Sequence, residues 1–150
     1  MENNVNGAEV APTTAPAKHK SNAAWITGLI GFCLAIPNLI CIWACTIAAS
    51  VATAFGEGLG AEKAGATESV YTKGIVYLIL FGLLCAADFA LCFMGKGDKS
   101  KITGTIMIVV AALIIVCPFF FLGFDLLALA IGGLYIASGI VSIKNQELPA

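Results

Sequence analysis

The chain has 150 residues, of which 59% are apolar and 11% charged, with a net charge of −1. A soluble domain holds about 45–50% apolar and about 25% charged residues. A chain of this size still leaves about a third of its unfolded-state surface in water. The apolar surplus therefore excludes a water-soluble globule and a disordered chain, and the near-zero charge excludes a basic field for nucleic-acid phosphates.

All eight basic residues are Lys, and the single His is His19 in the polar N-terminal stretch. That removes most proton shuttles, metal ligands and planar anion clamps. Residues 1–22 are rich in Ala, Pro, Thr and Asn and lack apolar periodicity. They are expected to form a disordered tail. The following apolar stretch is far longer than the 7–15 residue core of a signal peptide, although Ala52-Thr53-Ala54 leaves cleavage there as a minor alternative.

Residues 23–55 contain no charge. At 1.5 Å per residue they would reach about 50 Å, against a hydrocarbon core of about 30 Å. The expectation is one tilted or kinked span, with Pro37 inside it, whose end projects past the bilayer. Residues 56–73 read as a polar loop, with Glu57, Glu62, Lys63, Glu68 and Lys73. Residues 74–95 form a second span interrupted only by Asp88, followed by the basic loop 96–101.

Residues 102–143 carry only Asp125 as a charge and are long enough for two spans. Pro118 breaks backbone hydrogen bonding, and Asp125 is a natural helix N-cap. The third span is therefore expected over 102–117 and the fourth over 125–143, with 144–150 a polar tail. Phe119, Phe120, Phe121 and Phe124 suit the hairpin tip to the lipid interface. The predicted fold class is all-α, a membrane four-helix bundle made of two helical hairpins. Lys18, Lys20, Lys96, Lys99, Lys101 and Lys144 fall on one side and only Lys63 and Lys73 on the other. The positive-inside rule then puts both termini in the cytoplasm of a multi-pass cell-membrane protein. Ile26-Thr27-Gly28 recurs as Ile102-Thr103-Gly104, which either duplication or chance in so restricted an alphabet would produce.

Asp88 is the ionisable residue within a span, about 10 Å below the boundary at Gly95. At matching depth on the other spans stand Gly31, Ile108, Tyr135 and Ser138. Of these, Tyr135 and Ser138 can donate a side-chain hydrogen bond, which makes Asp88, Tyr135 and Ser138 the candidate intramembrane polar site. One reading is a proton or cation site. The other, favoured by the lack of a second acidic, basic or His residue to form a relay, is a structural Asp that fixes packing.

Small residues recur at four-residue spacing: Gly82, Ala86 and Ala90; Ala44, Ala48 and Ala52; Ala128 with Gly132; Gly133 with Ala137. Such stripes let helices approach closely in lipid. The Gly82 stripe lies nearly opposite Asp88 on its helix, so it either meets another subunit or reflects an Ala-rich background. Cys33, Cys41, Cys45, Cys85, Cys92 and Cys117 all lie in apolar runs and read as small hydrophobes; no metal site and no cofactor are expected. Trp25 and Tyr77 fit interfacial belts. The Gly-rich segments 55–60 and 95–100 border membrane helices and fail as nucleotide motifs.

Lys101-Ile102-Thr103-Gly104, the Gly132-Gly133-Leu134-Tyr135-Ile136-Ala137-Ser138-Gly139-Ile140 run and the Ile26–Gly31 start resemble small bacterial four-span (tetraspan) membrane proteins of uncharacterised function. The resemblance covers the membrane part and implies no activity or site residues. Claudin-like proteins share the topology, but the first outer loop here lacks their Trp and paired Cys. No Ser-His-Asp, Cys-His or paired-carboxylate set is present, so no enzyme is expected. The function expected is that of a non-enzymatic integral membrane protein acting through helix packing and protein–protein interaction. Its partners are the bilayer and either itself or another membrane protein. The rival is a small channel or transporter subunit using Asp88; an enzyme would have to use the loop at 56–73.

Overall fold

The computed structural model describes residues 21–95, 100–121 and 123–146. The expected tail up to residue 20, with His19, residues 96–99 of the basic loop, Leu122 of the hairpin tip and residues 147–150 lie outside the described residues. Four helices follow in chain order: α1 Ala23–Gly58, α2 Ala66–Met94, α3 Ser100–Phe121 and α4 Leu126–Gln146. Among the described residues there is no strand. All four helices are long and apolar enough to cross a membrane, consistent with a multi-pass membrane protein. They form an all-α four-helix bundle in which α1 packs on α2 and α4, α3 packs on α2 and α4, and α2 faces α4 across the centre.

Two helix limits differ from the sequence expectation by four residues or more, and the others by three or fewer. Helix α2 begins at Ala66, inside the stretch read as a loop, after Gly65 at φ +86°. Hydropathy marks where lipid ends, whereas the backbone ladder continues into water. Glu57 supports that start, because its Oε1 accepts a 2.8 Å bond from the Thr67 N–H, and a negative charge is favourable at a helix N-terminus. Helix α3 runs through Pro118 to Phe121. A proline removes one donor and crowds the carbonyl four residues back, but the chain stops at Gly123 instead. Gly123 adopts φ +93°, a conformation open to glycine, and its N–H closes on the Pro118 carbonyl at 2.8 Å. Helix α1 is likewise continuous through Pro37.

The lengths are unequal. At 1.5 Å per residue α1 reaches about 54 Å, while α3 and α4 reach about 30 Å each. Phe121, the last residue of α3, stacks on Tyr77 at 5.8 Å between ring centroids, and α2 continues outward from Tyr77 for eleven residues, 66–76. The α1–α2 hairpin therefore extends beyond the α3–α4 tip. Helix α1 carries an exposed apolar row along its length: Ile36, Ile40, Trp43, Ile47, Val51 and Phe55. At the other end of the bundle the chain is stapled shut. Asn145 Oδ1 accepts from the Ser21 N–H at 2.8 Å, and its amide donates to the carbonyls of Ser21 and Gly95.

The core is a stack of small and aromatic side chains: Ala35, Tyr77, Phe81, Cys85, Met107, Ala111, Ile114, Ala128, Ile131 and Tyr135. Small residues set how closely the helices approach. Gly104 and Gly139 lie against each other's carbonyls across α3 and α4, so a side chain on either would strike backbone. This is the close approach that lipid-embedded helices use in place of a hydrophobic drive.

Candidate functional site

Asp88 faces the bundle axis with no exposed surface. The depth of its surroundings follows from helix register. Phe32 stacks on Phe89 at 4.2 Å and 19°, which sets α1 against α2. Gly31 lies against the Tyr135 ring, which sets α1 against α4. Asp88 thus shares a layer with Gly31 and Ala35 of α1, and with Tyr135 of α4. Through the Gly104–Gly139 contact, the same layer takes Met107 and Ala111 from α3. These five neighbours are all buried.

The three residues of the expected polar site stand in one region but are not bonded to one another. Tyr135 donates its hydroxyl to the Cys85 carbonyl at 3.3 Å. Ser138 donates to the Ala24 carbonyl at 2.6 Å and lies 3.6 Å from the Cys92 sulfur. Cys92 in turn donates to the backbone carbonyl of Asp88 at 3.1 Å. Among the described residues, neither carboxylate oxygen of Asp88 has a hydrogen-bond partner, and the buried hydroxyls of Ser100 and Ser142 have none either. Leaving a buried polar group unsatisfied costs about 1–3 kcal/mol, so Asp88 does not contribute to stability through hydrogen bonding.

The small-residue stripes divide. Gly82 is half-buried near Leu39, and Ala86 and Ala90 face outward. Gly132 is buried against Ile115 and the Ala111 carbonyl, whereas Gly133 and Ala137 are exposed. Ala44, Ala48 and Ala52 are exposed as well. Gly82 lines a surface groove of about 490 Å³ between α1 and α2, with Leu39, Ile40, Trp43, Leu78 and Ile79. All six cysteines are free thiols, with Cys33, Cys41 and Cys45 exposed and Cys85, Cys92 and Cys117 buried. Among the described residues no three His, Cys, Asp or Glu gather into a metal-binding group.

No family model matches the chain, and neither a curated protein nor a solved structure does.

A second polar cluster was missed in the sequence. At the hairpin end, Asp125 Oδ1 accepts from the N–H groups of Leu127 and Ala128 at 2.9 and 3.0 Å, capping α4. Its Oδ2 accepts from the Asn38 amide and the Tyr77 hydroxyl, both at 3.2 Å. Asp125 therefore ties three helices together. The cap is legible as an Asp before an apolar run. The other two partners lie 87 and 48 residues away. Tyr77 is accordingly not an interfacial belt residue: its ring is fully buried between Phe81 and Phe121, because its hydroxyl finds an acceptor inside.

Proposed function

We propose that this chain is a non-enzymatic integral membrane protein that works by helix packing and by contact with another membrane protein. The observation that carries this reading is the apolar row of α1 where it outruns the second hairpin. Ile47, Val51, Phe55 and Leu59 recur every four residues and are all exposed, Leu59 to 84%. Among the described residues, only helix α2 is long enough to accompany α1 there. Contiguous exposed apolar surface at the end of a bundle marks a contact with protein or membrane. The six-to-two division of Lys supports cytoplasmic termini and an outward hairpin.

The test is photocrosslinking in native membranes with a benzophenone side chain at Val51 or Phe55, against Val109 on the exposed face of α3. A protein adduct at 51 and 55 with lipid adducts alone at 109 is the expected result. Lipid adducts alone at all three positions would refute the reading. A second reading, a small transporter or channel subunit, is favoured by one observation: the unpartnered Asp88 carboxyl at the centre of the bundle.

A further inference from the structure

The buried polar groups of the bundle lie in two tiers separated by apolar layers. Toward the hairpin end lie Asn38 and Tyr77, which bond the part-buried Asp125, and beyond them Thr46 and Ser50, which bond the carbonyls of their own helix. The other tier begins where the chain is stapled, at Asn145 and Gly95, and continues inward. Ser142 lies against Gly95, and Ser100 and Thr103 are buried on α3. Ser138 and Cys92 follow, and then Asp88. Beyond Asp88 the side chains facing inward are Phe81, Ile114, Ala128 and Ile131, with 0% exposure each. Hydroxyls and a thiol thus lie on one side of Asp88, without bonding its carboxyl, and apolar side chains lie on the other.

We propose that Asp88 is a proton-binding site served from the end of the bundle where α1 begins and α4 ends. This deepens the transporter reading and rests on it only for its purpose, not for its chemistry. The step is simple: a proton from hydronium adds to one carboxylate oxygen, giving a carboxyl and water, and release is the reverse. Three features support it. Among the described residues neither carboxyl oxygen has a partner that would compete with a proton for it. Ser100 and Ser142, also unpartnered, stand in the same tier, and a hydroxyl both donates and accepts. Among the described residues, the side chains around the carboxyl bring no second Asp, Glu, Lys or His. Helix α1 presents Gly31 and Ala35, and α3 presents Met107 and Ala111. The titratable neighbours are Cys85 and Cys92 on α2 and Tyr135 on α4.

Infrared difference spectroscopy of the full chain in phosphatidylcholine proteoliposomes of known orientation tests this. A pH jump is applied on one side, with aspartate carrying ¹³C in the carboxyl to mark the band. The expected result is a protonated-carboxyl band that titrates, persists in Asp125→Asn and is lost in Asp88→Asn. It should respond to a jump on the side where α1 begins and α4 ends, and Ser142→Leu should slow that response tenfold or more. If Asp88→Asn does not fold, the isotope shift together with Asp98→Asn and Asp125→Asn, which replace the other two aspartates of the chain, still assigns the band. No titrating Asp88 band, a response from the hairpin side, or a response unchanged by Ser142→Leu would each overturn the proposal. A titrating Asp88 without proton flux would remove the transporter reading alone.

Discussion

Replacing Asp125 by Ala is expected to loosen the hairpin end of the bundle by about 2 kcal/mol. The magnitude follows from what the carboxylate holds. Loss of an N-cap costs about 1 kcal/mol, and side-chain hydrogen bonds between membrane helices average about 0.6 kcal/mol each. Asp125 supplies the cap of α4 and accepts one bond each from Asn38 and Tyr77, both of which become unpaired in a buried site. The assay is equilibrium unfolding in mixed micelles by titration with sodium dodecyl sulfate. Maleimide reaction of the buried Cys85, Cys92 and Cys117 reports unfolding, in a background with the exposed Cys33, Cys41 and Cys45 changed to Ala. Asp125→Asn should lose only about 1 kcal/mol, because its oxygen can still cap α4 while its amide nitrogen cannot accept from Asn38 or Tyr77. In a double-mutant cycle, Asn38→Ala should cost less in the Asp125→Ala background than in the parent. A loss below about 0.5 kcal/mol for Asp125→Ala, the scale of an ordinary surface change, or strict additivity with Asn38→Ala, would refute the reasoning.

Gly139→Leu should destabilise the α3–α4 pair by about 1–3 kcal/mol, the usual cost of overpacking, because its side chain would run into the Gly104 carbonyl and Ile108. Ala86→Leu, on the outward face of α2, should stay within about 0.5 kcal/mol of the parent in the same titration; a larger loss would place Ala86 in an interface. Asp88→Ala should cause no loss and could raise stability by up to about 2 kcal/mol, since it deletes a buried acceptor that has no partner. A clear loss in that titration would mean that the carboxyl is bonded in the folded protein.

The amino-acid order by itself determined the medium, the number of helices and their class. Long charge-free runs can be solvated only by lipid, and in lipid the backbone must satisfy itself within a helix. The inward placement of Asp88 was also legible, because a lone carboxyl among Leu, Phe and Ala has one affordable side to face. So was the Asp125 cap, which acts on N–H groups two and three residues ahead. The tertiary structure decided the rest. Which small residues carry close packing depended on helix rotation, so Gly104, Gly139 and Gly132 meet neighbours while Ala86, Ala90 and Ala137 face outward. The end of α3 was settled by the turn at Gly123, not by Pro118. The bonding of Tyr77 and Asn38 to Asp125, and the unpartnered state of Asp88, depend on side chains from three or four helices meeting at one depth. No local pattern encodes that meeting, because each helix contributes a single residue to it and the contributors lie tens of residues apart along the chain.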